Sequence, residues 1–102
     1  MNHTRYEVRL LRVAEEDLTD ILMYIASDKP AAAARLANRF NQKLSLLADN
    51  TRIGSIPKED SLVQLGYRYL IVDNYLVFYI IEDSVIYIHR ILHGARDYTQ
   101  IL

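Results

Sequence analysis

Residues 66–98 read GYRYLIVDNYLVFYIIEDSVIYIHRILHGARDY, and this stretch decides the fold. It contains three apolar runs, separated by short polar breaks at Asp73–Asn74 and Glu82–Asp83. The runs are rich in Ile, Val, Tyr and Phe, which are the residue types that favour strands. Breaks this short join neighbouring strands as hairpins. The stretch therefore predicts an antiparallel meander of three strands.

The residues before the meander predict one strand and two helices. Residues 6–12 alternate imperfectly, which predicts a short strand with Val8 and Leu10 towards the core. Two apolar stripes at helical spacing follow, and the break at residues 27–30 makes them an antiparallel hairpin. The stripes are Leu18, Ile21, Leu22 and Ile25 in the first helix and Ala33, Leu36, Ala37, Phe40, Leu44 and Leu47 in the second. Residues 50–65 show no sustained period and predict a loop, with room for a short extended piece.

The predicted fold is a single α+β domain over residues 1–102. It has an N-terminal strand, an antiparallel helical hairpin packed on one face of an antiparallel sheet, and the C-terminal three-strand meander. Alternation assigns one apolar set to the helix-covered face: Leu70, Val72, Leu76, Phe78, Ile80, Ile86, Ile88 and Leu92. The opposite set is Tyr67, Tyr69, Tyr75, Tyr79, Tyr87 and His89. Two interpretations of this tyrosine-rich face stay open: a partner surface, or a second small core under the loop or the C-terminal tail.

Composition excludes several classes of function. The chain has 102 residues, a formal net charge of -1 and no Cys, so a thiol nucleophile, a disulfide framework and a Cys-based metal site are excluded. No apolar run approaches the roughly 20 residues that span a bilayer, and no signal-peptide stretch is present, so we expect a cytoplasmic protein with no membrane contact. We expect no metal, because His89 and His93 would lie roughly 13 Å apart on a strand. We expect no other cofactor, because the glycines are isolated. The basic stripe Arg35, Arg39 and Lys43 is interpreted as a solvated helix face.

The candidate site residues are cations and proton carriers in the meander region. Arg68 begins one strand, Arg90 lies within another, and His93, Arg96 and Tyr98 follow it. We expect the start of the first strand and the end of the third to reach the same sheet edge. Arginines there could hold a phosphodiester, and His or Tyr could move a proton. The ordinary alternative is that Arg68 and Arg96 form ion pairs and that Tyr98 anchors the tail.

The order of elements and three motifs resemble the RelE/ParE toxin superfamily. The motifs are Gly66–Leu70, Asn74–Tyr79 and Ile91–Tyr98, and the resemblance covers nearly the whole chain. It implies the toxin half of a type II toxin–antitoxin pair. It also implies a cognate antitoxin that holds the toxin inactive by adding to the first strand or by covering the aromatic face.

The superfamily contains two mechanisms. RelE-like members cleave mRNA on the ribosome, and the resemblance implies Arg68, Arg96 and Tyr98 as catalytic, with His93 as an alternative proton carrier. Such members also use lysines before the GYR strand, where this chain offers only Lys58. ParE-like members poison DNA gyrase without being nucleases, and residues 14–18, 21–25 and 93–97 resemble that branch. The resulting prediction is a ribosome-dependent mRNA endoribonuclease, with ParE-like inhibition of gyrase as the alternative.

Overall fold

The computed structural model describes residues 5–94 and residue 102. The elements follow in the order β1 (Glu7–Leu10), α1 (Arg12–Ala26), α2 (Pro30–Asp49), α3 (Asp60–Gln64), β2 (Arg68–Val72), β3 (Tyr75–Glu82) and β4 (Val85–His93). The predicted strand, helical hairpin and three-strand meander are confirmed. The short helix α3 lies in the segment that was predicted as a loop.

The sheet is mixed, whereas the sequence predicted an antiparallel one. Its strand order is β1-β4-β3-β2, and β2, β3 and β4 pair antiparallel. β1 joins the outside of β4 in parallel register, from Glu7 opposite Val85 to Leu10 opposite Ile88. A parallel pair needs a long crossover, and the helical hairpin together with the first two meander strands supplies one.

One core lies between the sheet and the two long helices. α2 contributes Leu36, Phe40 and Leu47, which are almost fully buried, and α1 contributes Ala14. Full burial of a side chain such as Phe40 stabilises the fold by about 1.5–3 kcal/mol. The predicted stripes of both helices pack on this core. α2 begins at Pro30, where the missing N–H needs no partner, and Lys29 precedes it without a side-chain cap.

The predicted assignment of β3 to the two faces is wrong. Val72 pairs directly with Tyr75 across a two-residue turn, so even positions in β2 share a face with odd positions in β3. A β-bulge then shifts the pairing of β3 with β4 between Phe78 and Tyr79, which moves Leu92 to the face away from the helices. The helix-covered set is therefore Leu70, Val72, Tyr75, Val77, Tyr79, Ile81, Ile86, Ile88 and Ile91.

The face of the sheet that lies away from α1 and α2, called the outer face below, carries a second small core. Its buried members are Leu62 of α3 together with Tyr67, Phe78 and Leu92. Leu102 packs against this cluster. Of the two open interpretations of the tyrosine-rich face, the structure supports a second core. Tyr75 and Tyr79 do not belong to that face, because they point towards the helices.

The basic stripe of α2 is only partly a solvated face. Arg39 donates from Nε and Nη2 to the carboxylate of Asp73, at 2.6–3.0 Å. This ion pair joins α2 to the turn between β2 and β3. Within residues 5–94 and 102, none of the helices is long and apolar enough to cross a membrane.

Candidate functional site

Arg68 stands at the start of β2 and points into the protein. It pairs with Tyr79 of β3 and therefore faces the helix side of the sheet. Its Nη2 donates to the carbonyl oxygen of Gly54 at 3.1 Å. Its Nε–H is buried and has no acceptor among the described residues. Arg68 thus binds the loop before α3, and its Nε–H is buried within this contact.

Tyr79 of β3 also binds the loop before α3. Its side chain is fully buried, and its hydroxyl donates to the carbonyl oxygen of Thr51 at 3.0 Å. Burial raises the pKa of Tyr79, although the nearby Arg68 guanidinium acts in the opposite direction. The phenol therefore remains protonated and serves as a hydrogen-bond donor.

Two backbone hydrogen bonds complete the attachment of the loop. Ser55 N–H donates to the carbonyl of Tyr69 at 2.7 Å, and Tyr69 N–H donates to the carbonyl of Ser55 at 2.9 Å. This bridge is the short extended piece for which the sequence left room. It also covers part of the free edge of β2.

The structure does not bring Arg68 and His93 together. Arg68 is aligned with Tyr79 of β3 and His93 with Tyr75, which are four positions apart, roughly 13 Å along the strand. In a meander the first and third strands run in the same direction, so the start of one and the end of the other lie at opposite ends of the sheet. The expectation that they share an edge was wrong for this reason.

His93 lies in a different setting from Arg68. It is exposed, and its ring stands edge-on to Tyr75 at a centroid distance of 5.6 Å. A cavity of about 190 Å³ beside it is lined also by Asp17 and Asp20. The described residues contain no group of three or more His, Cys, Asp and Glu side chains that could hold a metal ion. The other two predicted site residues, Arg96 and Tyr98, lie outside the described residues.

Arg90 forms a partly buried ion pair with Asp17 of α1. Its Nε and Nη2 donate to the carboxylate of Asp17 at 2.7 and 2.8 Å, and the Ile91 N–H donates to the same carboxylate at 3.0 Å. The hydrogen bond to Asp17 raises the pKa of Arg90. Because Asp17 takes both donors, Arg90 is a structural cation that fixes α1 to the sheet.

The β-bulge places His89 beside Tyr67. The Tyr67 hydroxyl and His89 Nδ1 are 3.1 Å apart, and a cavity of about 280 Å³ adjoins them between Arg90 and the start of α1. Burial lowers the pKa of His89, against a smaller opposite effect of Glu82. Burial also raises the pKa of Tyr67. A protonated Tyr67 can then donate to a neutral His89.

The stability of the protein should fall on acidification because of His89. Its pKa is lowered in the folded state, so below about pH 6.5 the unfolded chain takes up a proton that the folded chain does not. We expect the thermal midpoint to fall between about pH 7.5 and about pH 5.5, and to fall less in His89→Gln. Calorimetry over this range measures the difference, and Tyr67→Phe serves as a control that keeps the imidazole. An equal fall in the wild type and in His89→Gln would contradict the assignment.

Sequence reasoning missed the residues that fix the loop. Tyr79 was assigned to the opposite face, and Gly54 was treated as an isolated glycine of a loop. A two-residue hairpin at Asp73–Asn74 pairs its flanking residues directly, and this signal could have placed Tyr79 beside Arg68. Nothing in the sequence indicated that Asp17 would be the acceptor for Arg90.

Comparisons with known proteins agree on one family. The family described as "ParE toxin of type II toxin-antitoxin system, parDE" matches residues 8–98. Toxin RelE2 of Caulobacter vibrioides is 35% identical over 81 residues, which are 78% of this chain and 85% of that protein.

Two solved structures share the fold. The chromosomal ParDE toxin–antitoxin system from P. aeruginosa aligns with a TM-score of 0.71 at 18% identity and covers 90% of this chain and 98% of its own. The toxin–antitoxin complex RelBE2 from Mycobacterium tuberculosis aligns with a TM-score of 0.60 at 22% identity, over 93% and 98% of the two chains. The family match and the curated relative each span more than three quarters of the chain. The protein belongs to the ParE toxin family, within the RelE/ParE superfamily, and is a toxin of a type II toxin–antitoxin system.

Proposed function

We propose that this toxin arrests growth by binding a target protein, and that the target is DNA gyrase. The observation that carries the proposal is the position of Arg68. It donates to Gly54 with its Nε buried, and the exposed His93 lies at the other end of the sheet. A phosphate-binding cation and a proton carrier must reach the same reacting group, and among the described candidates Arg68 and His93 are too far apart to do so. The match to ParE toxins over residues 8–98 supports the same mechanism.

Cleavage of mRNA on the ribosome is the second candidate. It is favoured by the 35% identity to a protein named Toxin RelE2 and by the presence of Arg68, whose guanidinium is of the type that binds phosphate. In that mechanism Arg68 and Arg96 would stabilise the phosphate, and Tyr98 or His93 would move protons.

A cognate antitoxin is the proposed regulatory partner, acting with the toxin in the cytoplasm. The two solved structures that share the fold are of toxin–antitoxin systems. β1 is an edge strand, and a groove of about 420 Å³ between it and α2 is lined by Val8, Leu10 and Leu44 among others. The Glu7 N–H donates to Ser84, just before β4, and the Leu11 N–H donates to Ile88 of β4. The N–H groups of the alternate residues Val8 and Leu10 therefore point to the free edge of β1, where they could pair with an added strand.

Induced expression followed by two assays separates the mechanisms. We expect the purified toxin to inhibit supercoiling by gyrase, and transcripts from arrested cells to show no new ends in primer extension. Arg35→Ala, an exposed cation of α2, controls for loss of charge, and Arg68→Ala and Arg96→Ala test the candidate site. New ends inside codons, absent with Arg68→Ala and Arg96→Ala, together with unaffected gyrase would establish cleavage instead.

A further inference from the structure

Residues 51–58, called the docking loop below, expose two large apolar side chains. Ile53 is 39% exposed and Ile56 is 58% exposed, while Gly54 and Pro57 in the same loop are buried. An apolar side chain in solvent does not stabilise the fold, and a loop could normally rearrange to bury it. In this protein, hydrogen bonds hold the backbone of the docking loop and prevent such a rearrangement.

The backbone of the docking loop is held at three successive places. The carbonyl of Thr51 accepts from the buried Tyr79 hydroxyl, the carbonyl of Gly54 accepts from Arg68, and Ser55 exchanges two hydrogen bonds with Tyr69. The loop therefore presents Ile53 and Ile56 in a fixed arrangement. A surface that is already ordered loses less entropy on binding, which favours affinity.

The charge around these side chains indicates the chemistry of a partner. Arg52 precedes Ile53 and Lys58 follows Pro57, and both cations are exposed. Residues 51–58 contain no Asp or Glu, although the whole chain has a formal net charge of -1. A small apolar centre between two cations is complementary to an apolar pocket with carboxylates at its rim.

We propose that the docking loop inserts Ile53 and Ile56 into an apolar, acid-rimmed pocket on the protein that the toxin inhibits. This rests on the proposed function, since it supplies the contact by which a non-catalytic toxin holds its target. In this arrangement Arg68 is a positioning residue, which fixes the loop through Gly54. The loop lies at the β2 edge of the sheet, whereas the groove proposed for the antitoxin lies at the β1 edge.

The test replaces both isoleucines by serine. Ile53→Ser/Ile56→Ser should raise the toxin concentration that inhibits purified gyrase at least about tenfold, because buried anchors dominate binding at interfaces. It should also abolish growth arrest at the wild-type level of expression. Leu46→Ser is the matched control, since Leu46 is 55% exposed on α2, outside the docking loop. Thermal unfolding of both variants verifies that the fold persists.

Charge reversal identifies the class of partner. Arg52→Glu/Lys58→Glu should weaken inhibition, and the effect should shrink as salt is raised. Loss of inhibition on charge reversal with full inhibition by the serine variant would point to a phosphate backbone and overturn the proposal. Equal losses in the serine variant and in Leu46→Ser would also overturn it.

The growth assay tests the docking loop independently of whether gyrase is the target. If the wild type arrests growth but leaves gyrase unaffected, the target assignment fails. The proposed role of the docking loop is then tested by growth arrest alone. Arrest that is lost in the serine variant and retained in Leu46→Ser supports the loop, and arrest retained in both refutes it.

Discussion

Replacing Asp17 by alanine should lower the free energy of unfolding by about 2–3 kcal/mol, because a partly buried guanidinium and a backbone N–H both lose their acceptor. The side chains of Arg90 and Asp17 are only 21% and 14% exposed, and the carboxylate accepts from both Arg90 and the Ile91 N–H. Without it, the guanidinium charge is left without its counter-ion and the N–H has no acceptor. A loss of this size is on the order of a quarter of the stability of an ordinary domain. The thermal midpoint should fall by on the order of 15 °C.

Two further variants isolate the cause of this loss. Glu16→Ala removes a carboxylate on the same helix that lies 3.6 Å from a largely exposed Arg12, and it should change stability by less than about 0.5 kcal/mol. Asp17→Ala/Arg90→Met removes both charges and should recover part of the lost stability, because an apolar pair leaves no buried charge. Urea unfolding of the set measures all three. A cost for Asp17→Ala no larger than that of Glu16→Ala would contradict the role given to the ion pair.

The type and order of the helices and strands could be predicted from local sequence patterns. The apolar stripes on Leu36 and Phe40 and the short breaks in residues 66–98 fixed the type and order of the main elements, because helical period and hairpin chemistry are local properties. The parallel pairing of β1 could not be read in this way, since it depends on where two distant segments meet. The face assignment of β3 failed at the hairpin. That of β4 failed beyond the bulge opposite Phe78, where one extra residue in β4 reverses the alternation and moves Leu92 to the outer face.

The candidate site was less accessible to sequence reasoning. The importance of Arg68 was recognised, but its neighbours Gly54 and Tyr79 lie 14 and 11 positions away in the chain. Tyr79 meets it through the register of β2 with β3, and Gly54 through the bridge between Ser55 and Tyr69. The same register separated Arg68 from His93. Residue type thus indicated which side chains could carry chemistry, while the antiparallel pairing decided which of them could act together.

Gly54→Ala should destabilise the docking loop and abolish growth arrest. An added Cβ would overlap the Tyr79 hydroxyl and would lie 2.8 Å from the backbone carbonyl of Tyr69. Tyr79 is fully buried and the carbonyl belongs to the sheet, so neither can move freely. The loop must move instead, with loss of its hydrogen bonds to Arg68 and Tyr79. Overpacking of this kind costs about 1–3 kcal/mol, and the thermal midpoint should fall accordingly.

Two further variants test whether the effect of Gly54→Ala comes from steric overlap of the new methyl group at the docking loop. Gly66→Ala is the matched control, because Gly66 has a φ of 89° and an added Cβ there would make only an ordinary contact with Ile80, at 3.9 Å. Alanine at this position should cost about 1 kcal/mol through backbone strain without touching the loop. Gly54→Ala/Tyr79→Phe removes the hydroxyl that the new methyl overlaps and should regain part of the stability. Hydrogen exchange of the amides of residues 51–58 should accelerate in Gly54→Ala and stay slow in Gly66→Ala. Growth arrest that survives in Gly54→Ala while these amides exchange rapidly would contradict this prediction. Toxicity would then not require the docking loop to be ordered.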